Sequence, residues 1–156
     1  MVAVHFTDDL RACGFATGLA RSSDNLPGRV SAAHMVLTIR IGGIITTQAI
    51  LDTGSPWCIL NPDMVAILGD LVEETYVPTE SLVIRRIHYQ GRFARVAMRL
   101  LVGAGTDLDV EATAWVPILS VGAAWDVLDF IGLEGFLQVV RFAVDPRENM
   151  RYVAGA

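Results

Sequence analysis

The chain has 156 residues, enough for one domain with a sizeable core, and is 53% hydrophobic but only 19% charged. So few charges leave little for a solvated coat, which points to buried strands and an apolar patch that a partner covers. A net charge of −5 with no basic run argues against a nucleic-acid partner. Cys13 and Cys58 are too few and too scattered for a disulfide framework or a zinc site.

Residues 1–34 hold Gly14, Gly18, Pro27 and Gly28 and the polar run 21–25, and read as loops around a short strand or two. His5 and His34 have no partner at metal-ligand spacing, so no metal is expected. The opening residues lack the basic start and apolar run of a signal peptide, and no stretch approaches the roughly eighteen apolar residues of a membrane span. A cytoplasmic protein without a membrane partner is the expectation.

Met35, Leu37, Ile39 and Ile41 alternate with Val36, Thr38 and Arg40, the pattern of a half-buried strand. Gly42-Gly43 is a hairpin signal, and Ile44 to Leu51 is the returning strand. It runs into Asp52-Thr53-Gly54-Ser55, and an apolar strand containing Cys58 leaves that turn. Asn61 then caps a short helix with Pro62 at its first position, Asp63 at the positive end of its dipole and Gly69 as its stop.

Further on, 81–87 and 93–102 read as strands around His88-Tyr89-Gln90-Gly91-Arg92. Arg85, Arg86, Arg92, Arg95 and Arg99 alternate with apolar residues and read as a solvated strand face. Gly103 to Asp107 is a turn, and Leu108 to Val116 an alternating strand that Pro117 ends. Residues 118–129 form a loop or short helix in which Asp126 and Asp129 take solvated or capping roles.

The turn at Asp52 carries the chemistry. A carboxylate at the end of a buried strand costs free energy unless something hydrogen-bonds it or uses it. Gly54 removes a Cβ that would hinder a tight turn beside it, and Thr53 and Ser55 supply hydroxyls. An ordinary β-turn is the plain alternative, since Asp, Thr, Gly and Ser all favour turns.

Asp52-Thr53-Gly54-Ser55 between apolar strands resembles the catalytic turn of aspartic proteases. Phe130-Ile131-Gly132, then 133–140 as a short helix and 141–144 as a last strand, is similar to the second half of the retroviral-type enzymes, the retropepsins. The tail from Arg141 to Gly155 resembles the ending of bacterial retropepsin-like domains, so the likeness spans residues 35–155. It implies a mainly β, closed-barrel acid-protease fold with short helices near 61–68 and 133–140. Residues 35–156 would form the protease domain and 1–34 an N-terminal extension of it.

Proteolysis by this route uses two carboxylates sharing one water, and this chain has a single Asp-Thr-Gly. The resemblance therefore implies a homodimer in which each subunit contributes Asp52, with no cofactor and a peptide or protein as substrate. It also implies that Thr53 braces the two turns, that the Gly54 N–H points at the carboxylates, and that Ser55 bonds the outer oxygen of Asp52. Ile131 and Gly132 would pass close beneath the turn. Residues 71–102 would hold the flap, with Gln90-Gly91 at its tip and Tyr89 against substrate; a plain hairpin that touches no substrate is the other reading. Many retropepsins pair an Arg after the second-segment Gly with an Asp past the catalytic turn, and here Leu133 and Pro56 stand at those places. A catalytically silent dimerisation or peptide-binding module on the same fold is the alternative function.

Overall fold

The computed structural model describes residues 10–20, 35–74, 79–145 and 147–156. Most of the 1–34 extension, with His5 and His34, lies outside them. The long strand β7 (Ile87–Leu100) organises what is described. Along one edge it pairs with β8 (Leu108–Pro117), from Gly91↔Pro117 to Leu100↔Leu108. Along the other it takes three partners in series. These are β6 (Glu80–Ile84), β5 (Val72–Glu74) and β2 (Val36–Ile41). Its apolar residues Val96, Met98 and Leu100 alternate inward while Arg95 and Arg99 face water, as the sequence pattern requires.

Strand β2 forms a hairpin with β3 (Ile45–Leu51) through Gly42 and Gly43, at φ +57° and +73°. Backbone in that region suits glycine because it has no Cβ to clash. The far end of β3 runs parallel to β9 (Asp129–Ile131), pairing Ile50 with Phe130 and Leu51 with Ile131. The short β4 (Cys58–Ile59) pairs with β9 and β8. Since β2 also pairs with β7, the hydrogen-bonded path returns to its start. Inside that ring Leu37, Ile39, Ile41, Leu60 and Ile131 are almost wholly excluded from water. Each such side chain contributes about 1.5–3 kcal/mol on burial.

Helix α1 (Pro62–Leu68) follows its sequence signals: the Asn61 side chain accepts the Asp63 N–H at 2.9 Å, and Gly69 at φ +51° ends it. No helix among the described residues is long and apolar enough to cross a membrane. The helix expected over 133–140 is only a 3₁₀ turn, Leu137–Val139. Gly135 stands at φ +83°, a left-handed conformation that breaks a helix, and Glu134 bridges to Trp57 instead.

Strand β10 (Val140–Asp145) is likewise not the last one. The chain turns at Asn149, φ +51°, and returns as β11 (Met150–Gly155), the centre of a second sheet between β10 and β1 (Ala16–Leu19). Arg151 ties this sheet to the first. Its buried guanidinium donates to the Leu101 carbonyl at 2.7 Å and to the Val36 carbonyl at 3.3 Å, and burial lowers its pKa.

Gly91 lies inside β7, not at a hairpin tip. A Cβ there would come within 2.1 Å of the buried Trp115 indole, whose N–H donates to the Glu80 carbonyl. Gly91→Ala is therefore expected to cost about 3 kcal/mol, the upper end of overpacking penalties. A denaturant midpoint that falls accordingly, with the slope unchanged, checks this; a glycine at an exposed tip would give no such fall.

Candidate active site

Asp52 stands just past β3, where the buried run Ala49-Ile50-Leu51 stops, and is itself half-buried. Its N–H donates to the Ile131 carbonyl at 3.0 Å, and its carbonyl accepts the Ser55 N–H at 3.2 Å, closing the turn. The Gly54 N–H donates to Asp52 Oδ1 at 2.9 Å and fixes the carboxylate's orientation. Thr53 and Gly54 are exposed at the turn's outer edge.

The segment after β9 holds the turn from the other side. Leu133 N–H donates to the Ser55 carbonyl at 2.9 Å and Glu134 N–H to the Pro56 carbonyl at 2.7 Å. A Cβ on Gly132 would lie 2.1 Å from the Trp57 carbonyl oxygen and 2.9 Å from that of Ser55, contacts that backbone cannot relieve. Only glycine fits. The Ser55 hydroxyl departs from the expectation that it bonds Asp52. It donates to the Trp57 carbonyl at 2.8 Å, the local hydroxyl-to-backbone bond that serine favours.

Asp52 opens onto a cleft of about 290 Å³. Gly54, Ser55 and Pro56 line it on the side of the turn, Leu82, Val83, Ile84 and Arg85 on the side of the β6–β7 hairpin, with Ile59 and Phe130 completing it. Beneath both walls lies an apolar cluster centred on Ile59, Phe93 and Trp115, against which Trp57, Leu82, Ile84 and Phe130 pack. Trp57 meets Phe93 edge-on, ring centres 4.7 Å apart. Edge-to-face pairs of this kind add about 0.5–1.5 kcal/mol beyond the area they bury.

The hairpin turns at Arg85 and Arg86, not at Gln90-Gly91. Both arginines have positive φ, +50° and +69°, at a cost of roughly 1 kcal/mol each for a residue with a Cβ. Two arginines carry no turn signal, so sequence reasoning ran the strand through them and missed Leu82 to Arg85 as cleft residues. Gln90 donates from its amide to the Ser81 hydroxyl, and Tyr89 packs edge-on against Trp125 at 5.2 Å. None of Tyr89, Gln90 and Gly91 lines the cleft.

Two other ionisable groups close to the turn take structural roles. Burial pushes the Cys58 thiol up to about 11, so at neutral pH it stays protonated and serves as a small core residue. Asp129 is buried as well; Oδ1 accepts the Asn61 N–H at 2.8 Å and Oδ2 the Thr47 hydroxyl at 3.3 Å. Desolvation raises its pKa, and the two hydrogen bonds offset this only in part.

The chain matches no family model and no curated protein. Among solved structures it is similar to a retropepsin-like aspartic protease from Rickettsia conorii. The match covers 89% of this chain and 98% of that one, with a TM-score of 0.53 and 15% sequence identity. The chain thus has the retropepsin-like fold.

Asp129 gives this site a pH signature. Its pKa is higher in the folded chain than in the unfolded one, so its contribution to stability is full when protonated and is lost as pH rises through the folded value. As pH falls from 7 toward about 4, the wild type is expected to gain stability relative to Asp129→Asn. Denaturant titrations of both proteins across that range measure the gap, which would shrink instead if the folded carboxyl were the stronger acid.

Proposed function

We propose that the protein is an aspartic endopeptidase that works as a homodimer, each subunit contributing one Asp52. The single observation that carries this reading is the Asp52 carboxylate. It sits at the end of a buried strand, is oriented by the Gly54 N–H, and opens onto a cleft with apolar walls. The shared fold with a retropepsin-like aspartic protease supports it. So does Gly132, whose lack of a Cβ allows the close packing that holds the turn in place.

In this reading the ring of strands is the family's closed barrel, and the two turns meet at a two-fold axis. Two carboxylates that close cannot both ionise, so the pair shares a proton, as in the aspartic-protease dyads that are the standard example of the effect. The ionised Asp52 takes a proton from the attacking water, whose oxygen bonds the scissile carbonyl carbon. The protonated Asp52 of the partner subunit donates to the carbonyl oxygen as the negative charge develops. Breakdown of the tetrahedral intermediate returns a proton to the leaving nitrogen and breaks the C–N bond. Because the chemistry needs both carboxylates, a monomer has no route to it.

Asp52→Asn keeps the Gly54 hydrogen bond but removes the ionisable group. It is expected to lower cleavage of an unstructured protein such as casein by at least about 10³-fold between pH 3 and 7, with fold and dimer retained. Cleavage assays beside light-scattering masses in the same buffers test this. A protein that stays monomeric under every condition sinks the mechanism, and a folded dimer inactive on several substrates moves the site to peptide binding without hydrolysis.

A further inference from the structure

The β6–β7 hairpin turns on two arginines in a conformation that glycine and asparagine adopt more easily. Both are exposed, and neither has a carboxylate partner among the described residues. Arg99, further along β7, is by contrast already paired with Asp109 at 2.6 Å. Arg85 lines the cleft opposite Asp52, and its neighbours on that wall, Leu82, Val83 and Ile84, are all apolar. The lining of this cleft thus contains one cation, at the end of an otherwise apolar wall.

Resting on the peptidase reading, we infer that the cleft selects extended peptides carrying a Glu or Asp within a few residues of the bond that is cut, and that Arg85, with Arg86 beside it, recognises that acid. Apolar side chains of the peptide would lie against Leu82, Ile84 and Phe130. A guanidinium presents a fork of N–H donors that matches a carboxylate, which makes an acidic side chain its fitting partner. The chain as a whole carries −5 and repels acidic peptides, so the preference arises from the hairpin and not from the overall field. Antiparallel pairing with β7 fixes the tip's position, and the turn's positive φ values fix its backbone conformation.

The test is a set of fluorescent peptides with an apolar pair at the centre and one Glu, Gln or Lys scanned through the flanking positions. Binding is measured by anisotropy on Asp52→Asn, and cleavage on the unaltered protein. At one register Glu is expected to be favoured over Lys by about 2- to 5-fold, the range of a solvent-exposed ion pair. That ratio should fall toward one in Arg85→Gln, at high salt, and as pH drops below about 4.3, where the peptide's Glu loses its charge. Arg99→Gln, remote from the cleft, should keep it. A set with no charge preference at any register overturns the inference, as does a preference that persists in Arg85→Gln. Peptides bound with the expected pattern but never cut would uphold the recognition and remove the peptidase reading; peptides cut without the pattern would do the reverse.

Discussion

The chain at residues 131–134 passes so close to the turn at 52–57 that the two backbones touch, and the candidate site depends on that contact. Three main-chain hydrogen bonds stitch them together: Asp52 to Ile131, Leu133 to Ser55 and Glu134 to Pro56. The separation they need leaves no room for a Cβ on Gly132. Each bond contributes only about 1 kcal/mol net, but the three act on one short stretch and together fix its register against the turn. The turn is therefore held to one geometry by bonds that no side chain supplies, and Asp52 inherits its position from the backbone.

Two buried charged side chains, Asp129 and Arg151, frame this arrangement, and neither has an opposite charge beside it among the described residues. Each bonds neutral groups instead: Asp129 accepts from an amide and a hydroxyl, and Arg151 donates to two carbonyls from its terminal nitrogens while its Nε makes no bond among the described residues. In both, burial shifts the pKa toward the neutral form. What they gain is placement. Asp129 joins the start of β9 to the residue that caps α1, and Arg151 joins the terminal sheet to β2 and to the residue after β7. Met35, next to Val36, accepts the Leu51 N–H, so the guanidinium lies only a few bonds of the network away from the strand that delivers Asp52.

Features set by local chemistry were legible in the sequence. Alternation over 35–41, the glycine pair, the Asp-Thr-Gly turn and the Asn61-Pro62-Asp63 helix start each act within a few residues, and each is where it was read. The misread positions answer to distant partners. Gly91 suggested a turn, but its reason is Trp115 packed against it from the neighbouring strand. Arg85 and Arg86 suggested a strand, but the pairing of β6 with β7 forces them into the turn. The resemblance implied a helix over 133–140, but Gly135 approaches the Thr113 carbonyl and takes a positive φ. Arg151 gave no signal at all, because a cation in a sequence is read as solvated unless a partner is visible.

The hairpin over the cleft is built as a cantilever. From Gly91 onward strand β7 is clamped by β8, and by β5 and β2 on its other edge, while β6 pairs with β7 alone. Among the described residues β6 and β7 run from the tip to the clamped part without a break in their pairing. The Trp115 indole sits under its root and grips the Glu80 carbonyl at 3.0 Å. The wall of the cleft that faces Asp52 is therefore carried by the pairing of one strand and the hold of one indole, both far from the turn that carries the carboxylate in sequence.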